Sequence, residues 1–367
     1  MKNQARTASD WHTRTMFGPI TFAIKIFLWV GLLIQYKIAA FLGLRYRNGY
    51  SRTFDTFKAS TSLRWFSLSE LNKFYFSTRA TTRPLYLESC RAHGYKSRIE
   101  ALASNASALY YDADPAVADK SSSAGGGFYL GTVPGHWDFF DSLIAEAEKQ
   151  GKVLSVVVLE YSLTPSDQCP FQITQTINFF RHLLREIPPS KILLGGESAG
   201  GNLSLSLLAH ILHQSPYGPP IVLESPLAGM LLISPWVTFD TGADSMTKFA
   251  DYDILFPEIL RTWAEEYNPG LKIRNGWTEA LGAEEGWWKG CGALLDGRIL
   301  VTGGAHELMK DDIVAFKERL VKEGVGVEFF LPDGIHAEPI HGITGLGPEG
   351  SAAWLAHLRW LGEVVSK

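Results

Sequence analysis

The chain has 367 residues, of which 46% are hydrophobic and 20% charged, enough apolar sequence for a large buried core. Its formal net charge of −4 provides no basic surface, which argues against a protein that binds nucleic acid. The three cysteines, Cys90, Cys169 and Cys291, lie far apart without metal-ligand spacing, so we predict free thiols, no disulfide framework and no metal site.

A strongly apolar segment spans residues 17–44 and is interrupted by Lys25, Gln35 and Lys37. A membrane-spanning helix needs about 20 largely apolar residues, and this segment reaches that length only if it includes Lys25. Three alternatives follow: a single N-terminal membrane anchor, an amphipathic helix that lies on a membrane or closes a substrate pocket, and a buried core helix. The anchor predicts a membrane location such as the endoplasmic reticulum, and a cytoplasmic location is the alternative.

Residues 51–111 are mixed and rich in aromatic side chains, with a weak helical pattern. We predict that this region covers the central sheet. The predicted domain organisation has an apolar segment at 1–50, a helical covering region at 51–111 and a main α/β domain at 112–367.

Short apolar runs alternate with amphipathic helical patterns from residue 113 onward, which predicts a mostly parallel sheet with helices on both faces. The predicted strands are 128–132, 153–159, a run that ends just before Gly196, 229–234, 298–302 and 325–331. The predicted helices are 137–147, 173–184, the segment after Ser198, 311–323 and a C-terminal segment at 354–365.

The alternation breaks at about 238–290, a stretch too long for a connecting loop. Its aromatic residues include Trp263, Tyr267, Trp277, Trp287 and Trp288. We predict that this stretch is a cap inserted in the α/β domain, with an aromatic inner face.

The motif Gly196-Glu-Ser-Ala-Gly200 follows an apolar run and precedes leucines at helical spacing. This succession of strand, sharp turn and helix is the context in which Gly-x-Ser-x-Gly indicates a nucleophile elbow. The elbow needs small residues two positions before and two positions after the nucleophile, because its tight backbone would clash with larger side chains. Ser198 is therefore the candidate nucleophile, and the N–H of Ala199 is a candidate donor to an oxyanion.

A serine hydroxyl needs a base to take its proton, and that base needs an acid to hold its tautomer. In an open α/β sheet such groups lie on loops beyond the carboxyl ends of the strands. The loop after strand 298–302 offers Glu307, Asp311 and Asp312, and the loop after strand 325–331 offers His336 and His341.

Position within each loop distinguishes these candidates. Asp311 and Asp312 lie where a helix starts, and aspartate there usually caps the helix or complements its dipole, so we predict Glu307 as the acid. We predict His336 as the base, because it directly follows a strand and a turn. The order nucleophile, acid, base is the one expected of this architecture. Histidines elsewhere, including His136, have no such loop context.

Four motifs make the chain resemble the hormone-sensitive-lipase-like branch of the α/β-hydrolase superfamily, and more narrowly fungal steryl acetyl hydrolases and related secondary-metabolite hydrolases. The motifs are Gly196-Glu-Ser-Ala-Gly-Gly201, Glu160-Tyr-Ser-Leu-Thr-Pro165 with Cys169-Pro-Phe171, Glu307-Leu-Met-Lys-Asp-Asp312 and Gly334-Ile-His-Ala-Glu-Pro339. The resemblance runs from about residue 124 to the C-terminus and implies the α/β-hydrolase fold, with Ser198, Glu307 and His336 as the triad. Family members often have aspartate as the acid, so Glu307 is a mild departure.

The oxyanion loop departs further from the family pattern. The family has His-Gly-Gly-Gly after a hydrophobic strand, whereas this chain has Ala124 in place of the histidine and a polar stretch at 112–123 where the strand belongs. The glycines that follow still offer backbone N–H groups, so we predict an oxyanion hole formed by Gly126, Gly127 and Ala199. A flexible glycine linker is the alternative interpretation of this loop.

These residues predict a serine carboxylic-ester hydrolase, an esterase or deacetylase, that needs no metal or organic cofactor. The resemblance implies a bulky hydrophobic ester substrate, such as an acetylated sterol or a fungal secondary metabolite. Two alternatives remain open. One is a biosynthetic enzyme that acts on a lactone, amide or thioester or catalyses a cyclisation, and the other is a non-catalytic protein that binds a hydrophobic ligand.

Overall fold

The computed structural model describes residues 82–111, 119–122, 127–341 and 351–365. The apolar segment at 17–44, most of the predicted covering region and Gly126 lie outside the described residues. None of the described helices is long and apolar enough to span a membrane. The membrane anchor therefore stays a prediction from the sequence.

The described chain is built around eight strands. They are β1 (Arg98–Leu102), β2 (Ala106–Tyr111), β3 (Asp119–Ser122), β4 (Leu154–Glu160), β5 (Leu193–Glu197), β6 (Gly229–Ile233), β7 (Ile299–Thr302) and β8 (Glu328–Phe330). Hydrogen bonds join them in the orders β1-β2-β4-β3 and β5-β6-β7-β8, and β3 lies beside β5 where the two groups meet. The pairs β1–β2 and β2–β4 are antiparallel, and the other paired strands are parallel.

The predicted helical covering of the sheet is wrong at residues 98–111, which form β1 and β2 and belong to the sheet itself. All six residues of β2 are buried, and the strand pairs with β1 on one side and with β4 on the other. Burial on both faces removes the alternation of apolar and polar residues that identifies a half-exposed strand. The sequence pattern therefore favoured a helix.

The predicted strand at 128–132 is also wrong, because residues 127–130 form a turn in which Phe128 has a φ of 62°. Such a left-handed conformation is incompatible with a strand. The strand that comes before the glycines at 125–127, which we call the glycine loop, is β3. This strand lies within the polar stretch at 112–123. Asp119 of β3 is opposite Leu154 of β4, so β3 is a strand because its backbone pairs with an apolar neighbour.

Helices alternate with the parallel strands as predicted. The longer helices are α1 (Thr82–His93), α2 (Pro134–Lys149), α3 (Phe171–Leu183), α4 (Ala199–His213), α6 (Pro257–Tyr267), α8 (Lys310–Lys322) and α10 (Ala352–Val365), and the short ones are α5 (Asp244–Lys248), α7 (Cys291–Leu294) and α9 (Glu338–His341). Each of the five predicted helices of the α/β domain has its counterpart among the longer ones.

Both faces of the sheet are covered by hydrophobic layers. Leu154, Val156 and Val158 of β4 pack in one cluster with side chains of α2 and α10. The intervening Val157 and Leu159 are also buried and face the opposite side, where α3 packs on α4 and α4 packs on β5. This double coverage explains why β4 is a continuous aliphatic run.

The parallel strands bring the candidate site residues to one edge of the sheet. Ser198 directly follows β5, Glu307 lies on the loop after β7, and His336 lies on the loop after β8. Because parallel strands end at the same edge, these loops meet there. The predicted cap at 238–290 lies between β6 and β7 and contains α5 and α6.

Candidate active site

Ser198 lies in the sharp turn between β5 and α4. Its φ of 53° and ψ of −115° are a conformation that costs a non-glycine residue about 1–3 kcal/mol. Three backbone hydrogen bonds hold this turn. The Ser198 N–H donates to Ile233 O, and the Ser198 carbonyl accepts from the N–H groups of Asn202 and Trp236, each at 3.0 Å. A strained turn held in this way is the geometry of a nucleophile elbow.

The backbone around Ser198 is packed so closely that only small residues fit. A Cβ on Gly196 would lie 2.2 Å from the carbonyl oxygen of Gly200, which explains the glycines on both sides of the serine. Ala199 is the first residue of α4, so its N–H has no acceptor within the helix and lies at the positive end of the helix dipole. This N–H is available to an oxyanion.

His336 lies between two carboxylates, and all three side chains are buried. Its Nδ1 is 3.6 Å from Glu307 Oε1, and its Nε2 is 3.4 Å from Glu197 Oε1. Within the described part of the chain, neither His336 Nδ1 nor Glu307 Oε1 has a hydrogen-bond partner, and the gap between them is just beyond hydrogen-bond length. Catalytic pairs are often this long in an unliganded enzyme and shorten when substrate binds.

The other oxygen of Glu307 fixes the orientation of its carboxylate. Glu307 Oε2 accepts a hydrogen bond from Ser234 Oγ and another from the Gly304 N–H, both at 2.6 Å. Ser234 Oγ also accepts from the N–H of Ala337, the residue after His336, at 3.0 Å. Since Oε2 is held by these donors, Oε1 is left to face the imidazole.

Glu197 is held from its other side by His136 of α2. The Val133 N–H donates to His136 Nδ1 at 3.0 Å, which leaves the ring proton of a neutral His136 on Nε2. His136 Nε2 then donates to Glu197 Oε2 at 3.4 Å. A buried chain of contacts therefore runs from His136 through Glu197, the residue before Ser198, to His336.

Glu197 and His336 each stabilise the charged form of the other. Burial raises the pKa of Glu197, but its contacts with His136 and His336 outweigh burial and hold that pKa well below the usual range. Burial lowers the pKa of His336, but its contacts with Glu197 and Glu307 are stronger and raise the pKa to about 10. The two carboxylates therefore favour the charged form of the His336 ring.

Asp253, a buried residue between α5 and α6, joins the loops that carry Glu307 and His336. One carboxylate oxygen, Oδ2, accepts from the Leu308 N–H at 2.7 Å. The other, Oδ1, accepts from the N–H groups of His336 at 3.1 Å and Ile254 at 2.7 Å. Burial raises the pKa of Asp253 to about 6, against the lowering effect of His336. The cap is therefore connected to the backbone of both loops.

The glycine loop is packed against helix α6 of the cap. Gly127 has a φ of +61°, and a Cβ there would lie 2.2 Å from the indole ring of Trp263. The ring of Phe128 stacks on Tyr267 with 3.7 Å between centroids and 6° between planes. These contacts fix the described end of the predicted oxyanion loop, and Gly126 lies outside the described residues.

The predicted aromatic inner face of the cap is present only in part. Trp263 and Tyr267 lie against the glycine loop, as the preceding contacts show. The rings of Trp277 and Trp287 instead meet edge to face at 5.1 Å, and Trp288 packs on Phe316 of α8 at 5.7 Å. These three tryptophans therefore pack within the 238–290 segment or on α8.

A cavity of about 50 Å³ lies between the sheet and α2. It is lined mainly by apolar side chains and reaches Glu197 and His136, but Ser198 does not line it. Pockets that hold drug-sized ligands are about 300–1,000 Å³. This cavity is therefore smaller than a pocket for such a ligand.

The other candidates from these two loops have positions or contacts of their own. Asp311 and Asp312 are in the first turn of α8, and Asp311 Oδ2 accepts the Ser245 N–H at 2.9 Å. His306, next to the acid, has its Nδ1 3.0 Å from Asp333 Oδ1. His341 is the last residue of α9.

Three residues of the site were missed from the sequence: Glu197, His136 and Asp253. Glu197 lies inside the elbow motif, so its place beside Ser198 is visible in the sequence. Its contact with His336 is not. His136 and Asp253 lie far from the motifs, and their contacts arise only from the tertiary fold.

A family described as alpha/beta hydrolase fold matches residues 124–338, which is more than half of the chain. The chain belongs to the alpha/beta hydrolase fold family, in its hormone-sensitive-lipase-like branch. The prediction of this fold and branch from the sequence motifs is confirmed.

Relatives with assigned activities share part of the sequence. Carboxylesterase NlhH of Mycobacterium tuberculosis is 29% identical over 211 residues, which are 56% of this chain and 60% of that protein. Steryl acetyl hydrolase 1 of Saccharomyces cerevisiae is 26% identical over 110 residues, which are 28% of this chain and 25% of that protein. The chain spans less than two thirds of the length of either relative.

The fold is shared with solved esterase structures. A crystal structure of EstE5 soaked with p-nitrophenyl butyrate aligns with a TM-score of 0.66 at 21% identity, covering 85% of this chain and 99% of that chain. At this level of identity the likeness shows the fold alone.

Proposed function

We propose that this protein is a serine carboxylesterase with Ser198 as nucleophile, His336 as general base and Glu307 as the acid that orients it. The observation that supports the proposal is the strained Ser198 turn, next to Glu197, whose carboxylate contacts the same His336 imidazole that faces the fixed Glu307 carboxylate. The esterase names of its relatives agree with it.

The proposed reaction assigns one role to each of these groups. His336 Nε2 takes the proton of Ser198 Oγ as that oxygen attacks the ester carbonyl, and the N–H groups of Gly126, Gly127 and Ala199 bind the oxyanion. Glu307 Oε1 closes its gap to Nδ1 and stabilises the imidazolium. The proton then passes to the leaving alcohol, and water, activated by the same histidine, releases the acid and restores the serine.

The proposed substrate is an ester of a small acyl group with a bulky hydrophobic alcohol, such as an acetylated sterol or secondary metabolite. The name of the yeast relative supports an acetyl ester of a sterol. Trp263 and Tyr267 support a hydrophobic substrate, because they place aromatic surface beside the glycine loop. Association with a membrane through residues 17–44 remains a prediction from the sequence.

The test is hydrolysis of p-nitrophenyl acetate and of an acetylated sterol, with released acetate measured. The account expects both esters to be cleaved, and Ser198→Ala and His336→Gln to lose at least about 10³-fold in kcat, since the triad residues act as a unit. His306→Gln is the matched control, and its activity should equal that of the wild type.

Two results would direct attention to the alternatives. A rearranged product without released acid would favour a cyclising or lactone-forming enzyme. Tight binding of a hydrophobic molecule that Ser198→Ala leaves unchanged, together with no hydrolysis by the wild type, would favour a binding protein.

A further inference from the structure

The triad leaves one strong interaction of the base unexplained, the contact between His336 Nε2 and Glu197. Nε2 is the atom that must take the serine proton, yet it lies 3.4 Å from Glu197 Oε1. Nε2 therefore faces a carboxylate in the resting site.

The proton on Nε2 depends on the charge of His336. A neutral imidazole with its proton on Nδ1, facing Glu307, would point the Nε2 lone pair at the lone pairs of Glu197, which is repulsive. An imidazolium makes both contacts attractive, because a positive N–H then faces Glu307 from Nδ1 and another faces Glu197 from Nε2. The geometry therefore favours the charged ring.

The charged groups that surround His336 also favour a positive charge on its ring. It faces Glu197 at the end of β5, Glu307 on the loop after β7 and Asp253 of the cap. His136 of α2 holds Glu197 from behind. Tyr161, after β4, stays neutral, since burial and the nearby Glu197 raise its pKa. The carboxylates outnumber the cations at this position.

We propose that Glu197, held by His136, is a positioning residue that stabilises the His336 imidazolium through Nε2 and thereby sets the pH above which the base is free. The inference rests on the proposed function. The proton of Ser198 Oγ passes to Nε2, the oxygen's electron pair forms the new C–O bond, and the carbonyl π pair moves to the oxyanion. The imidazolium produced then lies between Glu307 and Glu197.

The experiment is the pH dependence of kcat/KM for p-nitrophenyl acetate in the wild type, Glu197→Gln and Glu197→Asp. Glu197→Gln keeps the shape but removes the charge, so the midpoint of the acidic limb should fall by at least about one pH unit. Glu197→Asp keeps the charge and should stay closer to the wild type. Exposed Glu318→Gln on α8 is the matched control and should leave the midpoint unchanged.

A Glu197→Gln profile with the wild-type midpoint and only a lower plateau would overturn the inference, because it would mean that Glu197 acts through structure alone. A wild type that hydrolyses no ester at any pH would instead contradict the proposed function.

A second measurement depends neither on activity nor on the folding of the Glu197 variants. In wild-type protein labelled with 13C at histidine Cε1, the His336 signal, assigned by its loss in His336→Gln, should report a charged ring at pH 8. A neutral His336 at pH 8 would overturn the inference, because an unperturbed histidine is already neutral there.

Discussion

The backbone N–H of His336 donates a hydrogen bond to Asp253 Oδ1 at 3.1 Å, although 83 residues separate the two in sequence. The second oxygen of Asp253 accepts the N–H of Leu308, the residue after Glu307. One buried carboxylate therefore holds the backbone at both His336 and Leu308. The segment predicted to be a cap thus contributes to the geometry of the candidate site.

Asp253→Asn should lower kcat/KM by about 10- to 100-fold, equivalent to about 1.4–2.7 kcal/mol. An asparagine keeps one acceptor oxygen, but its NH₂ group would face one of the backbone donors, so one loop loses its anchor. Steady-state kinetics on p-nitrophenyl acetate, with circular dichroism to establish folding, measure this loss.

Asp251→Asn is the matched control, since Asp251 is exposed and lies two residues away on the same loop. It should keep wild-type kinetics. A folded Asp253→Asn protein with unchanged kcat/KM would show that the loops hold their positions without the cap.

Gly127→Ala should destabilise the protein more than Gly151→Ala. Both glycines have left-handed backbone, with φ of +61° and +68°, and alanine there costs about 1–2 kcal/mol. A Cβ on Gly127 would also overlap the Trp263 ring, whereas Gly151 has no atom within 4 Å of the added carbon. Overpacking adds about 1–3 kcal/mol at Gly127 alone.

Urea unfolding of the two variants isolates this steric difference, because the backbone cost is common to both. Gly127→Ala should also lose esterase activity, while Gly151→Ala should keep it. Equal free energies of unfolding would mean that Trp263 moves aside at little cost and does not define the glycine loop.

Asp312→Asn should stabilise the protein at pH 8 but not at pH 4. Burial, with smaller effects of Asp311 and Asp240, raises the pKa of Asp312 from 3.8 to about 7. In the described part of the chain, its Oδ2 is buried without a hydrogen-bond partner. The folded state holds this proton more tightly than the unfolded state, so stability falls as the pH rises from about 4 through about 7. An asparagine at this position does not ionise, so Asp312→Asn removes this loss of stability with rising pH.

The neighbouring Asp311→Asn should have the opposite sign. Although burial acts to raise the pKa of Asp311, the hydrogen bond from the Ser245 N–H and the nearby Lys310 outweigh it and lower that pKa. Its stabilising effect is present above the unfolded pKa, so Asp311→Asn should lower the melting temperature at pH 8. Melting curves at both pH values test the two variants together. If both substitutions change the melting temperature at pH 8 in the same direction, the opposite pKa shifts of Asp311 and Asp312 are contradicted.

The sequence predicts the elbow well because its determinants are local. Gly196 and Gly200 must be small since their backbones touch, and the strand before Ser198 and helix after it have clear patterns. The choice of Glu307 as acid and His336 as base, made from chain order and loop position, stays a prediction. The same reasoning fails for Asp119–Ser122, whose strand depends on pairing with β4 and not on its own polar side chains.

The contacts that His136 and Asp253 make with the site arise from the tertiary fold. His136 contacts Glu197 across 61 residues of sequence, and its spacing within α2 carries no sign of that contact. Asp253 lies in the cap, where no motif constrains it. A histidine at 136 is equally compatible with an ordinary helix, so only the packing of α2 on the sheet shows where its ring points.

The most direct test of the central claim is covalent labelling of Ser198 by a fluorophosphonate probe, followed by mass mapping of the modified peptide. The account predicts that the wild type gains one phosphonyl group, on Ser198, and that Ser198→Ala and His336→Gln gain none under the same conditions. A folded wild-type protein that stays unlabelled, or that is labelled equally in Ser198→Ala, would contradict the assignment of Ser198 as an activated nucleophile.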